Sequence, residues 1–153
     1  MRIDSTLTGW DEIQKVFERM PERLEKTALK KGIGKAAEIV LDAAKASNRF
    51  DDWLGRLRDS IEATDKVKKK RGMVRYLIRA KAKHAHLVEL GHWLKTKNGK
   101  KWIPGRHFMF HAYHDNEAQI LEVMKREIQP TIDRFVRREM KAKAKAEMTA
   151  KSL

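Results

Sequence analysis

Between Pro21 and Ser47 the apolar residues Leu24, Ala28, Ile33, Ala36, Ala37, Val40 and Ala44 recur at three- and four-residue spacings. That period describes one face of an α-helix, and its length makes a long helix the element around which the rest must pack. Pro21 suits the start, because the first helical residues need no intrahelical partner for the N–H that proline lacks. Ser47-Asn48-Arg49 ends it with turn formers. Gly32 and Gly34 fall inside the helix, where each costs roughly 1 kcal/mol relative to alanine. They are tolerated if a neighbouring backbone packs closely there; otherwise they break the helix.

The remaining elements follow from local pattern. Arg2–Thr8 alternates weakly, as an edge strand or arm would. Thr8 can cap a short helix from Gly9 to about Met20. After a loop over Asp51–Gly55, Leu57–Ile61 reads as one helical turn leading into a strand near Ile61–Lys68. Lys69-Lys70-Arg71-Gly72 is a hairpin turn, and Met73–Ala80 the return strand. On that strand Val74, Tyr76, Ile78 and Ala80 share one face and Arg75 and Arg79 the other. His84–Leu90 is a short helix that Gly91 can end. Asn98-Gly99 between two tryptophan-bearing arms predicts a second hairpin over Trp93–Ile103. A last helix begins near Arg106 or near Asp115 and runs to about Met148, with Pro130 expected to kink it. The expected fold class is α+β: a small antiparallel or mixed β-sheet against a long central helix, with a second long C-terminal helix. Residues 1–140 form a single domain, and 141–153 a basic Lys/Ala-rich extension that projects or frays.

Charge is segregated. Residues 66–106 hold fourteen of the lysines and arginines and one acid, Glu89, so they carry +13 of the net +14. Such a segment marks a surface that meets something anionic, in preference to a merely solvated set of loops. The candidate partner- or DNA-facing residues are Lys68, Lys69, Lys70, Arg71, Arg75, Arg79, Lys95, Lys97, Lys100 and Lys101. Trp53, Trp93 and Trp102 lie near loops rich in arginine or lysine. Aromatics among cations can stack on single-stranded bases, but tryptophan and arginine also anchor protein interfaces, and the second reading is preferred.

Other chemistry is poorly supported. The chain has no cysteine, hence no disulfide framework and no thiolate site, which suits a reducing cytoplasm. It shows no apolar run near the ~20 residues that span a bilayer, and Met1–Ser5 lacks a signal-peptide core. The product is expected to stay in the cell that makes it, away from membranes. His107, His111 and His114 have helical spacing but no acid at catalytic distance, so no metal and no cofactor are expected. A small basic ribonuclease using His84 or His86 with Glu89 and Arg79 is imaginable. Nothing in the spacing requires it, and a structural role for Glu89, such as pairing with Arg56 or Arg58, is preferred. No catalytic residue is assigned and no enzymatic activity is expected.

Three segments carry a resemblance: Gly55-Arg56-Leu57-Arg58-Asp59-Ser60-Ile61, His84-Ala85-His86-Leu87-Val88-Glu89-Leu90-Gly91, and Pro104-Gly105-Arg106-His107-Phe108-Met109. Their order and spacing, from about Trp10 to Ile128, resemble the head–tail joining (tail-completion) family of long-tailed double-stranded DNA phages. Where that family usually carries an aromatic stands His84, and where it usually carries a proline stands His107. The segment before Arg56, Arg49–Gly55, is longer and more aromatic than usual. The resemblance implies the same α+β fold and a fold or interface role for Gly55, Arg56, Leu57, Arg58, Val88, Glu89, Gly91, Arg106 and Phe108. It further implies a non-enzymatic virion protein of the neck, assembled in the bacterial cytoplasm. Such a protein forms a ring, six-fold by preference, between a head connector or stopper and the tail tube or tail terminator, with DNA passing through. A sequence-independent nucleic-acid-binding protein is the main alternative.

Overall fold

The structure, a computed structural model, describes residues 10–67, 74–97 and 99–151. Helix α1 (Trp10–Arg19) leads through Pro21 into α2 (Glu22–Ala46). A loop and the short α3 (Arg56–Asp59) precede the antiparallel pair β1 (Ile61–Val67) and β2 (Val74–Ala80). Helix α4 (Ala85–Leu90) is followed by a second antiparallel pair, β3 (Gly91–Thr96) and β4 (Gly99–Pro104). Helices α5 (Phe108–His114) and α6 (Glu117–Lys151) complete the chain. The expected single sheet is two separate two-stranded sheets. The two candidate starts of the last helix are both real, because the chain breaks at Asp115-Asn116 and begins again. The expected arm at Arg2–Thr8, the Thr8 cap and the turn Lys69–Gly72 lie outside the described residues.

Helix α2 is unbroken, and its small residues explain its partner. Ala28, Gly32 and Ala36 are buried at four-residue spacing, a seam that lets α6 approach closely. A Cβ at Gly32 would stand 2.8 Å from Ile128 Cγ1 and 3.3 Å from the Met124 carbonyl. A Cβ at Gly34 would stand 3.0 Å from the Tyr76 hydroxyl. The glycines thus answer to close neighbours, one on α6 and one on β2. The two long helices run antiparallel. Met20 and Ala28 share a cluster with Ile128 and Ile132, whereas Val40 and Ala44 share another with Ile120. Helix α6 continues through Pro130, and from Lys141 to Ala150 every residue is exposed.

The larger core cluster gathers Phe50, Leu57, Ile61, Ala85, Phe108 and Ala112 against the C-terminal half of α2. On β2 burial alternates residue by residue, with the arginines outside, as the pattern predicts. His107 takes a φ of 50°, the one positive φ at a non-glycine among the described residues. A proline ring is locked near −65° and could not follow this turn. Proline therefore does not fit at this position with the backbone that His107 adopts.

Candidate functional site

The three motif segments meet in space and hold one another. Gly55 enters α3 with a φ of 69°, a left-handed turn that costs a glycine little. Leu57 is buried beneath that turn. The Arg58 backbone N–H donates to Asp52 Oδ2 at 2.7 Å. Its guanidinium donates to the carbonyl of Lys45, near the end of α2, and to that of Phe50. The same guanidinium lies 4.6 Å from the Phe50 ring centre, and Phe50 meets Phe108 at 4.7 Å. Arg58 thereby closes the open end of α2, whose last carbonyls have no helical partner.

Glu89 is structural, but not through an arginine. Its carboxylate accepts the N–H of Met109 at 3.0 Å and that of Phe110 at 3.2 Å, capping the first turn of α5. Its backbone carbonyl accepts the N–H of His107 and that of Val88 the N–H of Arg106. The expected pairing with Arg56 or Arg58 is therefore corrected: the segment before Phe108 supplies the partners. Both carboxylate oxygens are engaged in this way, which leaves Glu89 poorly placed as a base. Gly91 ends α4 with a φ of 84°, and a Cβ there would stand 2.6 Å from the Ile103 carbonyl. Val88 is half-buried, Phe108 fully buried. Arg56 and Arg106 point their side chains outward, with no side-chain partner among the described residues.

The cationic residues divide into two groups. On β1–β2, Arg79 and Lys81 both meet Glu62, at 2.9 and 2.7 Å. Lys81 first, and then Arg79, hold the exposed Glu62 carboxyl below its usual range. Glu62 lies four residues before the basic segment, so its pairing with β2 was invisible to a charge count over 66–106. Arg75 is exposed. Lys68, Lys69, Lys70 and Arg71 lie outside the described residues.

The second group lies on β3–β4, a two-stranded arm whose residues are exposed from Trp93 outward on β3 and up to Trp102 on β4. Trp93 pairs with Trp102 across it, ring centres 5.3 Å apart, as the sequence suggested. Lys95 stands opposite Lys100, and Leu94 opposite Lys101. Like charges face to face cost stability in a β-ladder. Lys95, Lys97, Lys100 and Lys101 have no acid to pair with among the described residues, so the arm collects positive charge around an exposed aromatic pair.

Two surfaces take shape only in the structure, one of them around Trp53, which the sequence offered as an interface anchor. Trp53 and Leu54 are fully and largely exposed. An open apolar groove of about 420 Å³ runs between α2, β2 and the α5–α6 segment. Loop exposure and a concavity between distant elements leave no periodic trace in the chain. The histidines do not converge: His111 meets Asp115 at 3.4 Å, while His114 stacks on Phe110. No three His, Asp or Glu are grouped for a metal among the described residues, and no described helix is long and apolar enough to cross a membrane.

Comparison with known families gives a match. The family described as bacteriophage HK97-gp10, a tail component, matches residues 11–91. That span holds α1 to α4 with the first two motif segments; it stops before the arm, α5 and α6. No curated protein and no solved structure matches the chain.

Proposed function

The chain belongs to the HK97-gp10-like family of bacteriophage tail components, and from that premise we propose that it is a ring subunit of the phage neck that completes the tail and joins it to the head. As a phage tail component it is a structural protein of the virion. The finer reading has the ring lie between the head connector or stopper and the tail tube or terminator, six-fold to match the tail. It makes and breaks no bond, and it acts by holding neighbours.

One observation carries this reading: the β3–β4 arm. Four lysines with no counterion among the described residues surround an exposed tryptophan pair on a projecting hairpin. Aromatic anchors ringed by charge are what a docking surface needs, the rings for affinity and the charge for steering. The anionic target is the acidic surface of a neighbouring ring. DNA in the lumen is the lesser target, since a channel that DNA must cross quickly should not hold its phosphates.

Replacing Lys95, Lys97, Lys100 and Lys101 together by Glu tests the reading. The variant is expected to keep wild-type circular dichroism and Tm, because these side chains are exposed. Infected cells should then accumulate filled heads and separate tails. Infectious particles at wild-type yield would overturn the proposal.

A further inference from the structure

The exposed apolar clusters differ in charge. Trp93, Leu94 and Trp102 lie among the arm lysines, and Met140 and Met148 among those at the end of α6. Trp53 and Leu54, 101% and 70% exposed, instead follow two acids, Asp51 and Asp52. The loop that presents them is pinned. The Gly55 N–H donates to the Asp52 carbonyl at 3.1 Å. The Asp52 carboxylate accepts the Arg58 N–H, and Arg58 is itself fastened to Phe50. A tryptophan held in water on a rigid platform loses little freedom when something covers it.

A complementary surface exists elsewhere on the same chain. The groove between α2, β2 and α6 is floored by Ile33, Ala37, Val40, Ile78, Leu121 and Met124. At Tyr76 it adjoins a second hollow lined by Lys30, Lys31 and Lys35, against Glu38 and Glu127. The groove is therefore apolar along its floor and net positive at one end. The arm, with its lysines, is the wrong charge for it; the Asp51–Leu54 loop is the right one.

We propose that this loop of one copy docks in the groove of the next. Trp53 and Leu54 enter the apolar floor, and Asp51 faces the lysine end near Lys31. The two surfaces lie on different elements, so the contact is heterologous and repeats from copy to copy. It closes into a ring if the rotation permits and extends as a filament if not. The inference deepens the ring reading above by naming the contact between subunits, while the docking itself requires no phage partner.

The absence of cysteine gives a clean trap. Leu54→Cys and Leu121→Cys proteins, mixed under mild oxidation, should cross-link several-fold more than either alone, and more than Leu54→Cys mixed with Lys145→Cys. In sedimentation, Trp53→Ala should weaken self-association at least tenfold at unchanged Tm. Trp53→Ala mixed with Leu121→Glu should stop at dimers, since each retains one intact half of the contact. Cross-linking no better than the control would overturn the docking, as would wild-type association by Trp53→Ala. So would a wild-type protein that stays monomeric at every concentration, the result expected if a different neck protein fills the groove. Open filaments that depend on Trp53 would uphold the docking and remove the ring.

Discussion

Two glycines two residues apart on one helix should respond oppositely to the same substitution. At Gly32 the added methyl meets Ile128, whose side chain is wholly buried and has nowhere to turn. Overpacking of that kind costs about 1–3 kcal/mol, more than the roughly 1 kcal/mol that alanine returns in helix propensity. Gly32→Ala is therefore expected to lower Tm. At Gly34 the neighbour is the far end of the half-buried Tyr76 ring, which can shift, so Gly34→Ala should leave Tm unchanged or raise it. A thermal melt of both variants decides this, and a lower Tm for Gly34→Ala than for Gly32→Ala would refute it. Glu89 gives a second residue-scale test. Gln keeps one acceptor for the two α5 amides but loses the charge that strengthens both bonds. Loss of a helix cap costs about 0.5–2 kcal/mol, so Glu89→Ala should be destabilised within that range and Glu89→Gln by less. Chemical denaturation measures both.

Among the elements, the arm is the least supported by packing. An isolated two-stranded hairpin is marginal in water, and this one also places Lys95 against Lys100. Its Trp93–Trp102 pair, worth about 0.5–1.5 kcal/mol beyond area burial, is what opposes that repulsion. Replacing both tryptophans by alanine should speed amide exchange from Gly91 to Ile103 while the core transition barely moves. Protection equal to wild type would show that the arm is held from elsewhere. By contrast β1–β2 has α2 behind it, with Ile61 buried and Ile78 packed on the core. The two hairpins thus divide into one that completes the body and one that reaches beyond it.

For the whole molecule, the net charge of +14 makes some attraction to nucleic acid unavoidable. Its salt dependence separates attraction from function. Four phosphates neutralised by the arm would give a log–log slope of roughly −3.6, a loss on the order of a hundredfold between 50 and 200 mM salt. Duplex binding by the purified protein is expected to collapse in that way, whereas joining of isolated heads and tails should still proceed at 200 mM. A filter-binding titration beside an in vitro joining assay tests this, and joining that fails in step with DNA binding would count against protein docking. Much of the body was legible in the chain. The long helix, the alternation on β2 and the tryptophan hairpin all follow from local periods, which act between residues close in sequence. Leu57 and Phe108 were marked by their motifs. Other features came only with the tertiary arrangement, because each depends on residues far apart along the chain. Glu89 found the amides of α5 twenty residues on, and the expected sheet divided into two hairpins because each packs against different helices. Glu62 drew off the charge of Arg79 and Lys81. Tertiary packing alone also decided that Trp53 stands in water while a groove opens between α2, β2 and α6, since a concave surface exists only once distant elements have come together.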